Sequence, residues 1–193
     1  MKANRFTAPM YTADVGRIEN MRPIRVVTVS FQFGLQGPED INSIIVPRGF
    51  CSDGASVPWW AQFPISNWGK YAQAAIVHDL LYATNFVTRK AADIIFRDAI
   101  RALGSDFSVD NGPTTRGRLS AFIGYRAVRF GGRYGYQNGS FNYYEMTGPV
   151  LARAQLRDPQ LAADVIRDPK ILRDAQTLSS TRIEELNLRY PDP

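Results

Sequence analysis

A chain of 193 residues, 45% hydrophobic and 21% charged, suits one ordinary domain plus an extension, or two very small domains, and excludes global disorder. One cysteine and one histidine, Cys51 and His78, exclude an intramolecular disulfide and the usual four-ligand structural zinc site, leaving a His/carboxylate or all-oxygen metal site open. The net charge is +5, and residues 151–193 balance seven basic against seven acidic side chains, so the whole excess falls in residues 1–150. Arg116, Arg118, Arg126, Arg129 and Arg133 supply much of it. Such a surface suits anionic partners (nucleic acid, phospholipid headgroups, an acidic protein) or is simply a solvated helix face.

The opening stretch MKANRFTAPMYTADVGR has no apolar h-region, so no secretory signal is expected there. No window reaches the ~18 apolar residues of a membrane span. Residues 1–50 read as strands. In IRVVTVSFQF, Val27, Val29, Phe31 and Phe33 alternate with Thr28, Ser30 and Gln32, which predicts one strand with an apolar face. INSIIVP predicts a second, ended by Pro47, with QGPED as the turn between them. PRGFCSDGASVPWW reads as a loop punctuated by Gly49, Gly54 and Pro58, and its tryptophans call for burial against the core.

Helices are expected from about Trp68. Tyr71, Ala75, His78 and Tyr82 are spaced four, three and four, which places them on one stripe. Thr88 can cap the next helix, whose apolar face is Ala92, Ile95, Phe96, Ala99, Ile100 and Leu103, with Gly104 as its stop. Asp93 falls at the margin of that face. The short connection between the two helices predicts an antiparallel hairpin. A third helix is expected over residues 115–130, with Leu119, Phe122, Ile123 and Phe130 inward. GGRYGYQNGSFNYY is expected to end it in an irregular segment.

The tail repeats Arg-Asp-Pro at a ten-residue interval. Asp158 and Asp168 suit N-caps, with Pro159 and Pro169 at the first helical position. Thr181 and Glu184 have capping-box spacing. Short helices of this kind bury little surface alone, so the tail is expected to dock, on a partner or on its own body.

A hairpin packed at the usual 8–10 Å lets Asp93 reach His78. The carboxylate would then set the imidazole tautomer and leave the other ring nitrogen to activate water. The same pair can instead satisfy itself in a core. Asp79 points about 100° away from His78 on the helix, where it can hold a cation or bond the loop carrying Asp53. Asp53 is either a metal ligand or a cap. Ser52 and Ser56 are nucleophile candidates without the G-x-S-x-G elbow, and Ser beside Asp53-Gly54 also reads as a turn.

Four blocks, VPRGFCSDGASVPWW, YAQAAIVHDLLY, RKAADIIFRDAI and GYRAVRFGG, resemble in that order domain-of-unknown-function family 1353, over residues 5–135. This resemblance implies a bacteriophage or prophage setting. HDLLY followed by ADIIF is also similar to the His-Asp-x-x-Tyr and Ala-Asp-x-x-Phe pattern of phospholipases of the A-two type, viral ones especially. By position it implies His78 as base, Asp93 as its partner, Tyr82 beside them and Asp79 as a Ca²⁺ ligand. The glycine-bearing loop here reads CSDGASVP, where those enzymes carry a tyrosine- and glycine-rich calcium loop.

The expected fold is α+β: N-terminal antiparallel β-strands packed on a helical hairpin plus a third helix, with an extended helical C-terminal arm. Residues 1–140 form the compact domain and residues 141–193 the arm. The expected function is a tail, baseplate or neck component of a phage particle whose body carries a phospholipase-like His-Asp site. The alternative is a particle-borne hydrolase acting on the lipid or peptidoglycan of the host envelope. Other phage structural proteins are the expected partners, through Asp158, Pro159, Asp168 and Pro169. The protein is expected in the virion after synthesis in the host cytoplasm. Packaging of nucleic acid rests on the basic excess alone, VRFGGRYGYQ being the nearest approach to an aromatic-basic track.

Overall fold

The computed structural model describes residues 5–17, 23–34, 43–54, 68–104 and 115–192. Among the described residues six short strands precede seven helices, the α+β arrangement expected. The strands are β1 (Arg5–Phe6), β2 (Tyr11–Arg17), β3 (Pro23–Val29), β4 (Phe31–Gly34), β5 (Ser43–Val46) and β6 (Cys51–Ser52). They form two antiparallel three-stranded sheets, in the orders β1-β4-β5 and β2-β3-β6.

The run IRVVTVSFQF is therefore two strands, not one. The chain leaves one sheet at Val29 and enters the other at Phe31. Ser30, between them, accepts the Arg48 N–H at 2.8 Å through its hydroxyl. The break exposes Val29, expected inward, while Val27, Phe31 and Phe33 are buried as expected. Phe31 pairs with Val46 and Phe33 with Ile44, so β4 and β5 turn the same apolar rows to the core. QGPED and the two tryptophans Trp59 and Trp60 lie outside the described residues.

The helices are α1 (Ala72–Thr84), α2 (Arg89–Gly104), α3 (Thr115–Gln137), α4 (Gly139–Arg157), α5 (Pro159–Asp164), α6 (Pro169–Asp174) and α7 (Ser180–Arg189). Helix α1 is buried nearly all round, between β5, α2, α3, α4 and α6. It ends where Asn85 takes a left-handed conformation (φ 49°) and donates its N–H to the Leu81 carbonyl. Thr88 caps α2 as expected, its hydroxyl accepting the Ala91 N–H at 3.2 Å. Gly104 is the last residue of α2.

Helix α3 departs from expectation in facing and in length. Leu119, Phe122 and Phe130 are exposed, and of the four residues expected inward only Ile123 packs on the core. The buried face consists of Gly117, Ser120, Ala121, Gly124, Ala127 and Val128. The cause is close approach to α2: a Cβ on Gly104 would meet the Gly117 Cα at 2.8 Å. Only small side chains fit such a contact, so the large apolar ones turn outward. The segment GGRYGYQNGSFNYY does not end the helix as expected. Helix continues through it to Gln137 and resumes at Gly139. Gly132 and Gly139 make room for Tyr82 rather than breaking the helix. A Cβ on Gly132 would lie 2.5 Å from the Tyr82 hydroxyl, and one on Gly139 would lie 1.9 Å from the Tyr82 carbonyl oxygen.

The segment beyond residue 140 is helical and lies against the body. Val150, Ala154, Ala162, Leu172, Leu178 and Leu186 join the central core. Gln176 reaches β5 through both main-chain groups of Ile45, at 3.0 and 2.9 Å. The Ile166 N–H bonds the Gly49 carbonyl at 3.0 Å, and Arg48 pairs with Asp164. At the far end, the Asp192 carboxylate accepts the Arg89 and Lys90 N–H groups at 2.9 Å each, over the start of α2. Asp158 and Asp168 cap α5 and α6, with Pro159 and Pro169 at the first positions, as expected. The cap of α7 is Ser179, which accepts the Arg182 N–H; Thr181, expected in that role, lies inside the helix. Among the described residues no helix is long and apolar enough to cross a membrane.

Candidate functional site

The α1–α2 hairpin brings His78 and Asp93 into contact, as the sequence predicts. His78 Nε2 lies 2.9 Å from Asp93 Oδ1. Tyr82, one turn after His78, donates its hydroxyl to the same oxygen at 2.7 Å. Asp93 itself is fully buried, not marginal as its place in the apolar pattern suggests. The imidazole is held between the Tyr82 ring, 4.0 Å away, and the Phe96 ring at 4.8 Å. Its side chain keeps 9% of its surface exposed.

A third helix supplies a residue not singled out for the site from sequence. Arg129 of α3 donates from Nη1 to Asp93 Oδ2 at 3.0 Å, with 21% of its side chain exposed. The glycine contact explains how it arrives. Gly117 touches Gly104 where α2 and α3 cross, and the helices run antiparallel from there. A dozen residues on along α3 and eleven back along α2 therefore bring Arg129 level with Asp93. One physical signal could have found it: a carboxylate buried in an apolar helix face requires a cation. Helix α3 carries five arginines and no acid.

Burial alone would raise the Asp93 pKa. The hydrogen bond and charge of His78, with the hydrogen bonds from Tyr82 and Arg129, outweigh it and hold the carboxyl below its ordinary value. Burial, and then the Asp93 charge, push the Tyr82 phenol far above its ordinary value, so Tyr82 remains a donor. In the neutral form of the imidazole, an ionised Asp93 accepts from Nε2–H and the lone pair falls on Nδ1. That is the protonation pattern a water-activating base requires.

The remaining predicted residues are placed differently. Asp79 takes the second of its two expected roles: its Oδ2 accepts the Ser52 hydroxyl at 2.5 Å, tying α1 to the loop that carries Asp53. Ser52 also accepts the Gly54 N–H at 3.0 Å, and Gly54 has a positive φ of 80°, so the turn reading of this stretch holds. Ser56 lies outside the described residues. Among the described residues no three His, Cys, Asp or Glu side chains come together to hold a metal, so Asp53 and Asp79 make no built Ca²⁺ site there. Asp158 and Asp168 are occupied as helix caps. Cys51 is buried, and burial pushes its thiol up to about 12.

Residues 27–110 match the family described as a protein of unknown function, DUF1353. The expected family resemblance is shown over that stretch. It takes in His78, Asp79, Tyr82 and Asp93 and stops before α3, so Arg129 and the block GYRAVRFGG lie beyond it. No curated protein and no solved structure matches the chain.

Proposed function

We propose that this DUF1353 protein is a component of a bacteriophage particle whose body carries a hydrolytic site, with His78 as the base for water and Asp93 as its partner. The phage setting is supported by the resemblance of the four sequence blocks alone. The observation that supports the chemistry is the Nε2–carboxylate bond on a buried, ionised Asp93 that Tyr82 and Arg129 hold in place. In this reading Nδ1 takes a proton from water as the oxygen attacks an ester carbonyl of the host envelope. Asp93 stabilises the imidazolium that forms. As the tetrahedral intermediate collapses, the C–O bond to the alcohol breaks and the imidazolium returns its proton to the departing oxygen, leaving acid and alcohol. No step is assigned to Ca²⁺, because Asp79 is engaged by Ser52.

The test is hydrolysis of phosphatidylglycerol vesicles and of a soluble short-chain ester by the full chain. Loss of a general base lowers the rate by about 10²–10⁴, so His78→Ala should fall by that much while keeping its fold. A wild-type protein that releases no acid from either substrate, or an undiminished His78→Ala rate, sinks the proposal.

A second reading has its own observation. Leu156 and Ile171, within three residues of the Asp158-Pro159 and Asp168-Pro169 starts, and Leu188 of α7 are exposed, which favours docking on neighbouring phage structural proteins. Leu156→Ser with Leu188→Ser should then fold normally and fail to enter particles; normal incorporation rules this role out.

A further inference from the structure

We propose that the outward face of α3 docks on an anionic phospholipid bilayer. Close packing of small residues on α2 leaves the large apolar side chains of α3 in solvent: Leu119 is 58% exposed, Phe122 60%, Phe130 73% and Tyr134 72%. Steps of three and four residues line these up, with Arg126 between Phe122 and Phe130, along one stripe of the helix. The Arg126 guanidinium lies 5.2 Å over the Phe130 ring, so cation and ring face the same side. Arg133, also exposed, flanks the stripe.

Charge identifies the occupant. Helix α3 has no aspartate or glutamate over 23 residues, and although Arg129 turns inward to Asp93, Arg126 and Arg133 stand exposed with the apolar stripe, so the outward face carries positive charge. A helix that presents phenylalanine and leucine together with arginine fits the boundary between acyl chains and negative headgroups. A nucleic-acid strand fits less well. Leu119 and Phe122 offer its phosphates nothing, and the stripe is a convex helix surface where strand binders use a groove. The docking face stands on these residues whether or not His78 turns over a substrate.

The full chain should co-sediment with vesicles of phosphatidylethanolamine mixed with phosphatidylglycerol, and not with phosphatidylcholine alone. Added salt should weaken the binding. Arg126→Gln with Arg133→Gln should bind about thirtyfold more weakly. Phe122→Ser with Phe130→Ser should lose about tenfold or more. All four positions are exposed and outside the His78 cluster, so both variants should melt with the wild type; should the phenylalanine pair fail to fold, Leu119→Gln reads the same contact. Three results overturn the proposal: equal binding to both vesicle types, no vesicle binding, or preference for DNA with the phenylalanine variant unaffected. Binding is read without turnover. An inactive wild type that still binds anionic vesicles removes the hydrolytic reading and leaves this face standing, while a protein that cleaves a soluble ester and ignores vesicles does the reverse.

Discussion

Replacing Asp93 by asparagine separates charge from shape at the centre of the molecule. The side chain keeps its outline, but an acceptor-only group becomes one that also carries donors, facing Tyr82, His78 and Arg129. Breaking a buried ion pair by removing one partner costs about 3–5 kcal/mol. Arg129 is part-exposed and recovers some hydration, so the lower end of that range, about 3 kcal/mol, is expected. In a domain of this size that loss lowers the melting temperature by about 6–12 °C. The pH dependence gives a second check. The Asp93 pKa is lower in the folded than in the unfolded chain, so its contribution is complete above the ordinary carboxylate value of 3.8 and is lost as pH falls through the depressed folded value. Protonated aspartate resembles asparagine, so the gap between wild type and variant should close in acid. Urea unfolding of both proteins, from neutral pH down to about pH 3, measures it. A variant as stable as wild type at neutral pH, or a gap that persists undiminished in acid, refutes this account of the cluster.

Tyr82→Phe removes one hydrogen bond to the buried carboxylate and should cost about 1.5–3 kcal/mol, read from urea midpoints at unchanged slope. Gly49→Ala combines a positive φ of 87° with a Cβ 1.7 Å from the Asp164 carbonyl oxygen. It should push the α5–α6 connection off the sheet and lower the melting temperature, with faster hydrogen exchange at the Ile166 amide as the local signature. Cys51, buried with its thiol near 12, should resist thiol reagents at neutral pH in the native protein and react promptly in urea.

The candidate site was legible where its residues are local. His78 and Tyr82 are one helical turn apart, Asp93 follows across a short connection, and a hairpin of that length has few ways to fold. The Asp158 and Asp168 caps were legible for the same reason, each acting on the amides two or three residues ahead. Arg129 was not, because its place depends on where α3 crosses α2, and that crossing is set by Gly104 and Gly117, which carry no side chain to signal it. Gly132 and Gly139 misled in the same way. They resemble helix breakers in sequence, yet they are clearance for Tyr82.

The strand-rich character of the N-terminal region, the α1–α2 hairpin and the meeting of His78 with Asp93 were determined by sequence alone, since hydrophobic period and short connections act over neighbouring residues. The tertiary structure decided which face of α3 is buried, where the strand IRVVTVSFQF divides, and which cation neutralises Asp93. Each of those turns on how closely distant backbones approach. Local spacing does not encode that distance; it emerges only when small residues far apart in the chain are pressed together.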